Sequence, residues 1–83
     1  MTWAWEYDPS EEYLVGGVDP AVVARIGERA DELVRAAEAL YLDGTTYQGD
    51  NPKGATAYIT GGMFEYLVVV RHNRLYVRQI TIF

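Results

Sequence analysis

The sequence predicts a single α+β domain over residues 1–83, with the element order β-α-α-β-β-β and with helices packed on one face of an antiparallel sheet. Three observations lead to this fold class. Residues 2–7 alternate in polarity as a strand does, residues 20–40 carry an apolar stripe at helical spacing, and residues 61–83 contain two apolar runs separated by a polar step. A chain of 83 residues is long enough for one small hydrophobic core.

The first predicted strand carries three large aromatic side chains on one face, because side chains alternate along a strand. They are Trp3, Trp5 and Tyr7, and we expect them in the core. A short helix is predicted over residues 9–15, with Asp8 or Ser10 at its N-cap and two glycines at its end.

A long amphipathic helix is predicted over residues 20–40. Asp19 can accept hydrogen bonds at its cap, and Pro20 fits the first helical position. The apolar side chains fall within one arc of the helix, and every charged side chain from Arg25 to Glu38 lies outside that arc. The helix is therefore expected to pack on the sheet with a solvated charged face. Residues 42–54 are typical of a turn-rich connector, and residues 55–60 of the second strand.

The last third of the chain predicts a β-hairpin with a two-residue turn at His72-Asn73, so that residues whose numbers sum to 145 face each other. One hairpin face is nearly apolar and is expected to be core: Phe64, Tyr66, Val68, Val70, Leu75 and Val77. The other face collects three arginines and is expected to be a site: Glu65, Leu67, Val69, Arg71, Arg74, Tyr76 and Arg78. In this register Arg71 faces Arg74.

Charge is distributed unevenly along the chain. Residues 1–50 carry three arginines against eleven acids, a net charge of -8, whereas residues 51–83 carry four basic residues against one acid, a net charge of +3. This asymmetry favours a local anionic partner for the C-terminal hairpin. The acidic chain as a whole argues against non-specific adhesion to nucleic acid or to an anionic membrane.

Several classes of protein are not expected from this composition. With no cysteine and one histidine, only carboxylates remain as common metal ligands, so neither a metal nor another cofactor is expected. No apolar run approaches the roughly 18–20 residues of a membrane span, and the first residues lack the basic and apolar parts of a signal peptide. We therefore expect a cytoplasmic protein without a membrane partner.

The element order and several local signatures together resemble the RelE/ParE superfamily, the toxin half of bacterial toxin–antitoxin pairs. The signatures are Tyr7-Asp8-Pro9 after the first strand, Val18-Asp19-Pro20 at the start of the long helix, Tyr47-Gln48-Gly49-Asp50 in the connector, and the final hairpin. The resemblance implies a cognate antitoxin as partner. Members similar to RelE also act on the ribosome and cut mRNA without a metal, whereas members similar to ParE inhibit DNA gyrase.

The resemblance also implies roles for individual residues. Arg71, Arg74 and Arg78 occupy the hairpin face on which the nucleases hold the scissile phosphate, a task suited to guanidinium groups. The candidate acid/base is His72, since histidine exchanges protons near neutral pH. The candidate substrate-binding residues are Tyr76, Tyr47 and Lys53. The residues themselves leave alternatives open, because the arginines suit an antitoxin or solvent as well, and His72 also suits a turn.

The residue patterns and the family resemblance together predict two alternative functions. The first is a toxin that acts on translation through ribosome-dependent mRNA cleavage or interference, as a metal-independent endoribonuclease. The second is a non-enzymatic interaction module of the same fold, either a gyrase-type inhibitor or a degenerate member that binds an antitoxin-like protein. The second fits two departures from the nucleases, which are usually basic and usually carry basic residues on the second strand, where residues 55–59 here are uncharged.

Overall fold

The computed structural model describes residues 2–41 and 53–83, apart from the side chain of Lys53. In chain order its elements are β1 (Ala4–Tyr7), α1 (Glu11–Val15), α2 (Pro20–Leu40), β2 (Lys53–Ile59), β3 (Gly62–Val69) and β4 (Arg74–Ile82), with a turn of 3₁₀ helix at Val70–His72. The predicted element order is confirmed. Within the described ranges, no helix is long and apolar enough to cross a bilayer.

The sheet is mixed, and the prediction of an antiparallel sheet was wrong for β1. The strand order is β1-β4-β3-β2, and β1 runs parallel to β4, with Trp5 opposite Leu75 and Tyr7 opposite Val77. The other two pairs are antiparallel. Polarity alternation predicts a strand but not its direction, and the first and last strands are joined by most of the chain rather than by a tight turn. The sequence pattern therefore left the direction of β1 undetermined.

Local side-chain chemistry fixes where both helices begin. The Ser10 hydroxyl accepts a hydrogen bond from the Tyr13 N–H at 3.2 Å, which makes Ser10 rather than Asp8 the cap of α1. The Asp19 carboxylate accepts from the Ala21 N–H at 2.8 Å, and Pro20 takes the first position of α2. Both bonds satisfy amides that have no partner inside the helix. The predicted bounds of α2 are confirmed.

The β3–β4 hairpin has a four-residue connection instead of the predicted two-residue turn. Val69 faces Arg74, and Asn73 adopts the left-handed conformation at φ 52° while its N–H donates to the Val70 carbonyl at 2.9 Å. Arg71 therefore leaves the strand and does not face Arg74. The register near the turn is two residues from the prediction, and because side chains alternate with a period of two, the residues that stay in the strands keep their predicted faces. The prediction was wrong for Val70, which joins Arg71 in the turn instead of lying on the core face.

A β-bulge interrupts the same hairpin. Tyr66 faces Val77, whereas Glu65 faces Gln79, so Arg78 is the extra residue on β4. Such a residue bends its strand and leaves the regular ladder. The bulge thus presents Arg78 at the surface beside the strand pair.

The core lies on one side of the sheet, against the helices. Its fully buried members from the strands include Phe64, Leu75 and Val77, which cluster with Ile26 of α2 and Val15 of α1. The aromatic residues of the first strand belong to the same side: Trp5 and Tyr7 pack against this cluster, and Trp3 is buried and stacks on Tyr41 with ring centroids 6.3 Å apart. The predictions of an aromatic core and of helices on one sheet face are confirmed.

Candidate functional site

The sheet face away from the helices is called the open face here. By strand register it carries Glu6 on β1, Thr56 and Tyr58 on β2, Glu65, Leu67 and Val69 on β3, and Arg74, Tyr76 and Gln79 on β4. Tyr58 is 67% exposed, whereas Val69 is only 6% exposed. The open face therefore combines charged, aromatic and aliphatic side chains and includes most of the predicted site.

The guanidinium of Arg74 is bound by carbonyl and carboxylate groups of the same chain. Its Nη1 donates hydrogen bonds to the carbonyls of Thr2 and Asn73, each at 3.0 Å, and its Nε lies 3.8 Å from Oε2 of Glu6. Parallel pairing makes this possible, because it brings the start of β1 beside the start of β4. The guanidinium therefore uses several donors to join β1 to β4.

Arg78 has a carboxylate partner as well. Its Nε lies 3.3 Å from Oδ2 of Asp8, while the Asp8 N–H donates to the Val77 carbonyl at 2.9 Å and places that carboxylate beside the bulge. The Arg78 side chain is 55% exposed. An exposed ion pair of this kind contributes about 0–1 kcal/mol to stability. It stabilises the fold little but still neutralises the arginine locally.

The open face and its rim are consequently balanced in charge. Arg74 pairs with Glu6 and Arg78 pairs with Asp8, whereas Glu65 on the face and Arg71 in the 3₁₀ turn carry opposite charges without an ion pair between them. Sequence reasoning missed the first two carboxylates as site residues. The alternation of β1 did place Glu6 opposite its aromatic side chains, but only the parallel pairing of β1 with β4 brings these acids to the arginines.

A shallow depression of about 510 Å³ crosses the open face at the bulge. Its lining comes from three adjacent strands: Gly54, Ala55, Thr56, Glu65, Tyr66, Leu67, Arg78 and Gln79. The exposed hydroxyl, carboxylate and amide side chains offer both donors and acceptors, and Ala55, Tyr66 and Leu67 add apolar groups to the lining. The depression can thus receive polar and apolar groups together.

His72 and Tyr76, two of the predicted site residues, are brought into contact. Nδ1 of His72 lies 3.0 Å from the Tyr76 hydroxyl, and the two rings meet edge to face with centroids 6.2 Å apart. Either group can donate, depending on which imidazole nitrogen carries the proton. His72 is exposed and Tyr76 is half-buried, so the pair forms a polar corner at the edge of the open face.

The other predicted site residues are not assembled with this corner into one pocket. Arg71 is exposed in the 3₁₀ turn. Lys53 starts β2 opposite Val68, but its side chain lies outside what the structure describes, and Tyr47 lies outside the described residues altogether.

Across residues 2–41 and 53–83, no three His, Cys, Asp or Glu side chains are grouped so that they could hold a metal ion. Comparison with protein-family models, with curated proteins and with solved structures gives no match. What the protein does must therefore be inferred from its own residues.

Proposed function

We propose that this protein is a non-enzymatic interaction module whose open face binds another protein, in the manner of a RelE/ParE-like toxin fold that has kept antitoxin binding without nuclease chemistry. The observation that carries this proposal is the pairing of Arg74 with Glu6 and of Arg78 with Asp8. A phosphate would have to compete with these carboxylates for each guanidinium, and binding of a polyanion depends on unneutralised positive charge.

The composition of the open face supports a protein partner. Interface cores are enriched in aromatic and arginine side chains and are surrounded by a polar rim. Tyr58, Tyr76 and Leu67 supply aromatic and aliphatic contact area, while Arg78 and Glu65 supply charges of both signs. Mixed charges select a partner by complementarity rather than by bulk attraction. An antitoxin-like protein that covers the sheet suits this surface.

Site-specific photo-crosslinking in cells tests the proposal. A photoreactive amino acid is placed at Thr56 or Gln79 on the open face, and in a matched control at Glu32, which lies on the exposed side of α2 with 62% of its side chain accessible. We expect a protease-sensitive adduct from the two open-face positions and none from the control. RNase-sensitive adducts, or equal adducts from all three positions, would contradict a protein-binding open face.

A second candidate function is ribosome-dependent mRNA cleavage, and the observation that favours it is the 3.0 Å contact between His72 and Tyr76. In that reaction His72 would accept the proton of a 2′-hydroxyl that attacks the adjacent phosphate, and Tyr76 would orient the imidazole. The bond from phosphorus to the 5′-oxygen would break to leave a 2′,3′-cyclic phosphate, and the departing 5′-oxygen would take a proton from water. Arg71, which no carboxylate within 4.0 Å neutralises among the described residues, would contact the phosphate.

Purified protein, ribosomes and a defined mRNA distinguish the two functions. The interaction module predicts no cleavage above a ribosome-only control. The nuclease predicts cleavage that falls by about 10²–10⁴-fold in His72→Gln, the range expected for loss of an acid/base group. The nuclease also predicts a loss of cleavage in Arg71→Ala, whereas the control Arg29→Ala, at an arginine that forms an exposed ion pair with Glu32 at 3.7 Å on α2, should cleave as the wild type does.

A further inference from the structure

A second groove runs along the outer edge of β1, between that strand and the helices. It has a volume of about 530 Å³ and is lined by Trp5, Glu6, Tyr7, Glu11, Val23 and Gly27. Its side chains are aromatic, acidic and small, and no basic residue lines it. The groove lies on the core side of the sheet, to which Trp5 and Tyr7 project, and of the open-face residues it shares only Glu6.

The edge of β1 that borders this groove has backbone groups available for pairing. The Ala4 N–H donates to the Asn73 carbonyl at 3.2 Å and the Asp8 N–H to the Val77 carbonyl at 2.9 Å, so the even-numbered residues point toward β4. Backbone groups alternate along a strand, and those of Trp5 and Tyr7 therefore point to the outer edge. Among the described residues no strand pairs with that edge.

The groove also has rigid aromatic walls. The Trp5 indole N–H donates to Oδ1 of Asp31 at 2.8 Å, and the Trp5 and Tyr7 rings meet edge to face with centroids 5.0 Å apart. A Cβ built on Gly27 would meet only Trp5, at 3.7 Å, so the absence of a side chain at Gly27 keeps the space beside the indole open. These contacts hold the ring faces in place before any ligand arrives.

The charge in this groove comes from two carboxylates, those of Glu6 and Glu11. Glu6 is already engaged by Arg74 on the open face, which leaves Glu11, exposed at the start of α1, as the carboxylate available to a ligand. Burial raises the pKa of the Tyr7 hydroxyl and the Glu11 carboxylate raises it further, which is consistent with a carboxylate close to that ring. Aromatic faces beside a carboxylate attract a cationic side chain.

We propose that the outer edge of β1 binds an extended segment of a partner protein by strand addition, with an arginine or lysine side chain of that segment held in the groove by Trp5, Tyr7 and Glu11. The main chain of the segment pairs with the free groups of Trp5 and Tyr7, and the alternate side chain enters the groove. Charge complementarity selects a basic segment, since residues 1–50 carry a net charge of -8 and acids alone provide the charge in the groove.

The probe is an acetylated and amidated peptide that alternates valine and arginine, titrated into isotope-labelled protein and followed by NMR. We expect the amide resonances of Trp5 and Tyr7 and the indole resonance of Trp5 to shift in a saturable manner. The same peptide with citrulline, which is neutral and similar in shape, should bind about tenfold more weakly because it lacks the cation.

Two variants locate the site. Glu11→Gln should weaken binding several-fold, whereas Glu12→Gln, its exposed neighbour in the first turn of α1, should leave binding unchanged. Gly27→Leu should fill the groove and remove binding, while shifts of residues on the open face report that the fold is kept. Because the two glutamate variants leave Gly27 untouched, the test holds even if the leucine variant does not fold.

Three results would overturn the proposal. The first is the absence of saturable shifts at Trp5 and Tyr7 at millimolar peptide. The second is equal binding of the citrulline peptide, and the third is an equal effect of Glu11→Gln and Glu12→Gln, which would indicate attraction by overall charge. Loss of open-face crosslinking would not affect these outcomes, since the crosslinking positions Thr56 and Gln79 do not line the groove.

Discussion

Tyr7 gives the protein a specific response to alkaline pH. Burial raises its pKa above the ordinary value of 10.0, and the nearby Glu11 carboxylate raises it further. The folded state therefore binds the phenolic proton more tightly than the unfolded state does. The associated stability is fully present below pH 10.0 and is lost as the pH rises through the raised pKa.

We expect Tyr7→Phe to remove this loss. The urea midpoint of the wild type should fall relative to that of Tyr7→Phe as the pH rises from about 9 to about 11. Tyr13→Phe is the control, because the Tyr13 side chain is 75% exposed and its substitution should leave the pH dependence of the wild type intact. Parallel midpoint curves for wild type and Tyr7→Phe would contradict the proposed cause.

Gly27 makes α2 less stable than alanine would, but it keeps the groove beside Trp5 open. Glycine costs up to about 1 kcal/mol relative to alanine in a helix interior, and a methyl group at this position would meet Trp5 at an ordinary contact distance of 3.7 Å. Gly27→Ala should therefore raise the urea midpoint at unchanged slope, by up to about 1 kcal/mol in unfolding free energy. A lower midpoint would mean that the helix needs glycine at this position for a contact other than the one with Trp5.

At the scale of elements, the helices were the most predictable part of the fold. Ser10 caps α1, and Asp19 and Pro20 start α2, in each case through contacts with residues close in sequence. The start of each helix therefore follows from local sequence. The hairpin was less predictable, because a 3₁₀ turn and a two-residue turn both tolerate Asn73 at positive φ. The strand residues still lie on their predicted faces, since the register near the turn differs by two residues, whereas Val70 and Arg71 belong to the turn.

The buried face of this hairpin can be tested by truncation. Val77 is fully buried and Val68 only partly, so Val77→Ala should cost about 1–3 kcal/mol and Val68→Ala less. Chemical denaturation of both variants at equal slope measures the difference. A larger cost at Val68 than at Val77 would mean that the register of β4 differs from the one described.

At the scale of the whole molecule, the site was harder to predict than the fold because its charges come from opposite ends of the chain. The hairpin sequence alone predicts a positive face, and the structure places Arg74 on the open face and Arg78 at the bulge beside it. Their partners Glu6 and Asp8 lie about 70 residues away, and nothing short of the parallel β1–β4 pairing brings them together. Local patterns therefore predicted the arginines but not their neutralisation.

The balance of charge on the open face leads to the last prediction. The double variant Glu6→Gln/Asp8→Asn removes both carboxylate partners and should raise affinity for single-stranded RNA by about tenfold at low salt, because the positive charges of Arg74 and Arg78 are then no longer neutralised. The control Glu28→Gln/Glu32→Gln changes the formal net charge equally, from -5 to -3, but on α2, where Glu32 pairs with Arg29. Fluorescence anisotropy with a labelled oligouridine measures both variants across a salt series. If the carboxylates of residues 6 and 8 mask the open face, only the first double variant will bind RNA more tightly, and its added affinity will disappear as salt rises. If overall charge governs RNA binding, the affinities of the two double variants will rise equally.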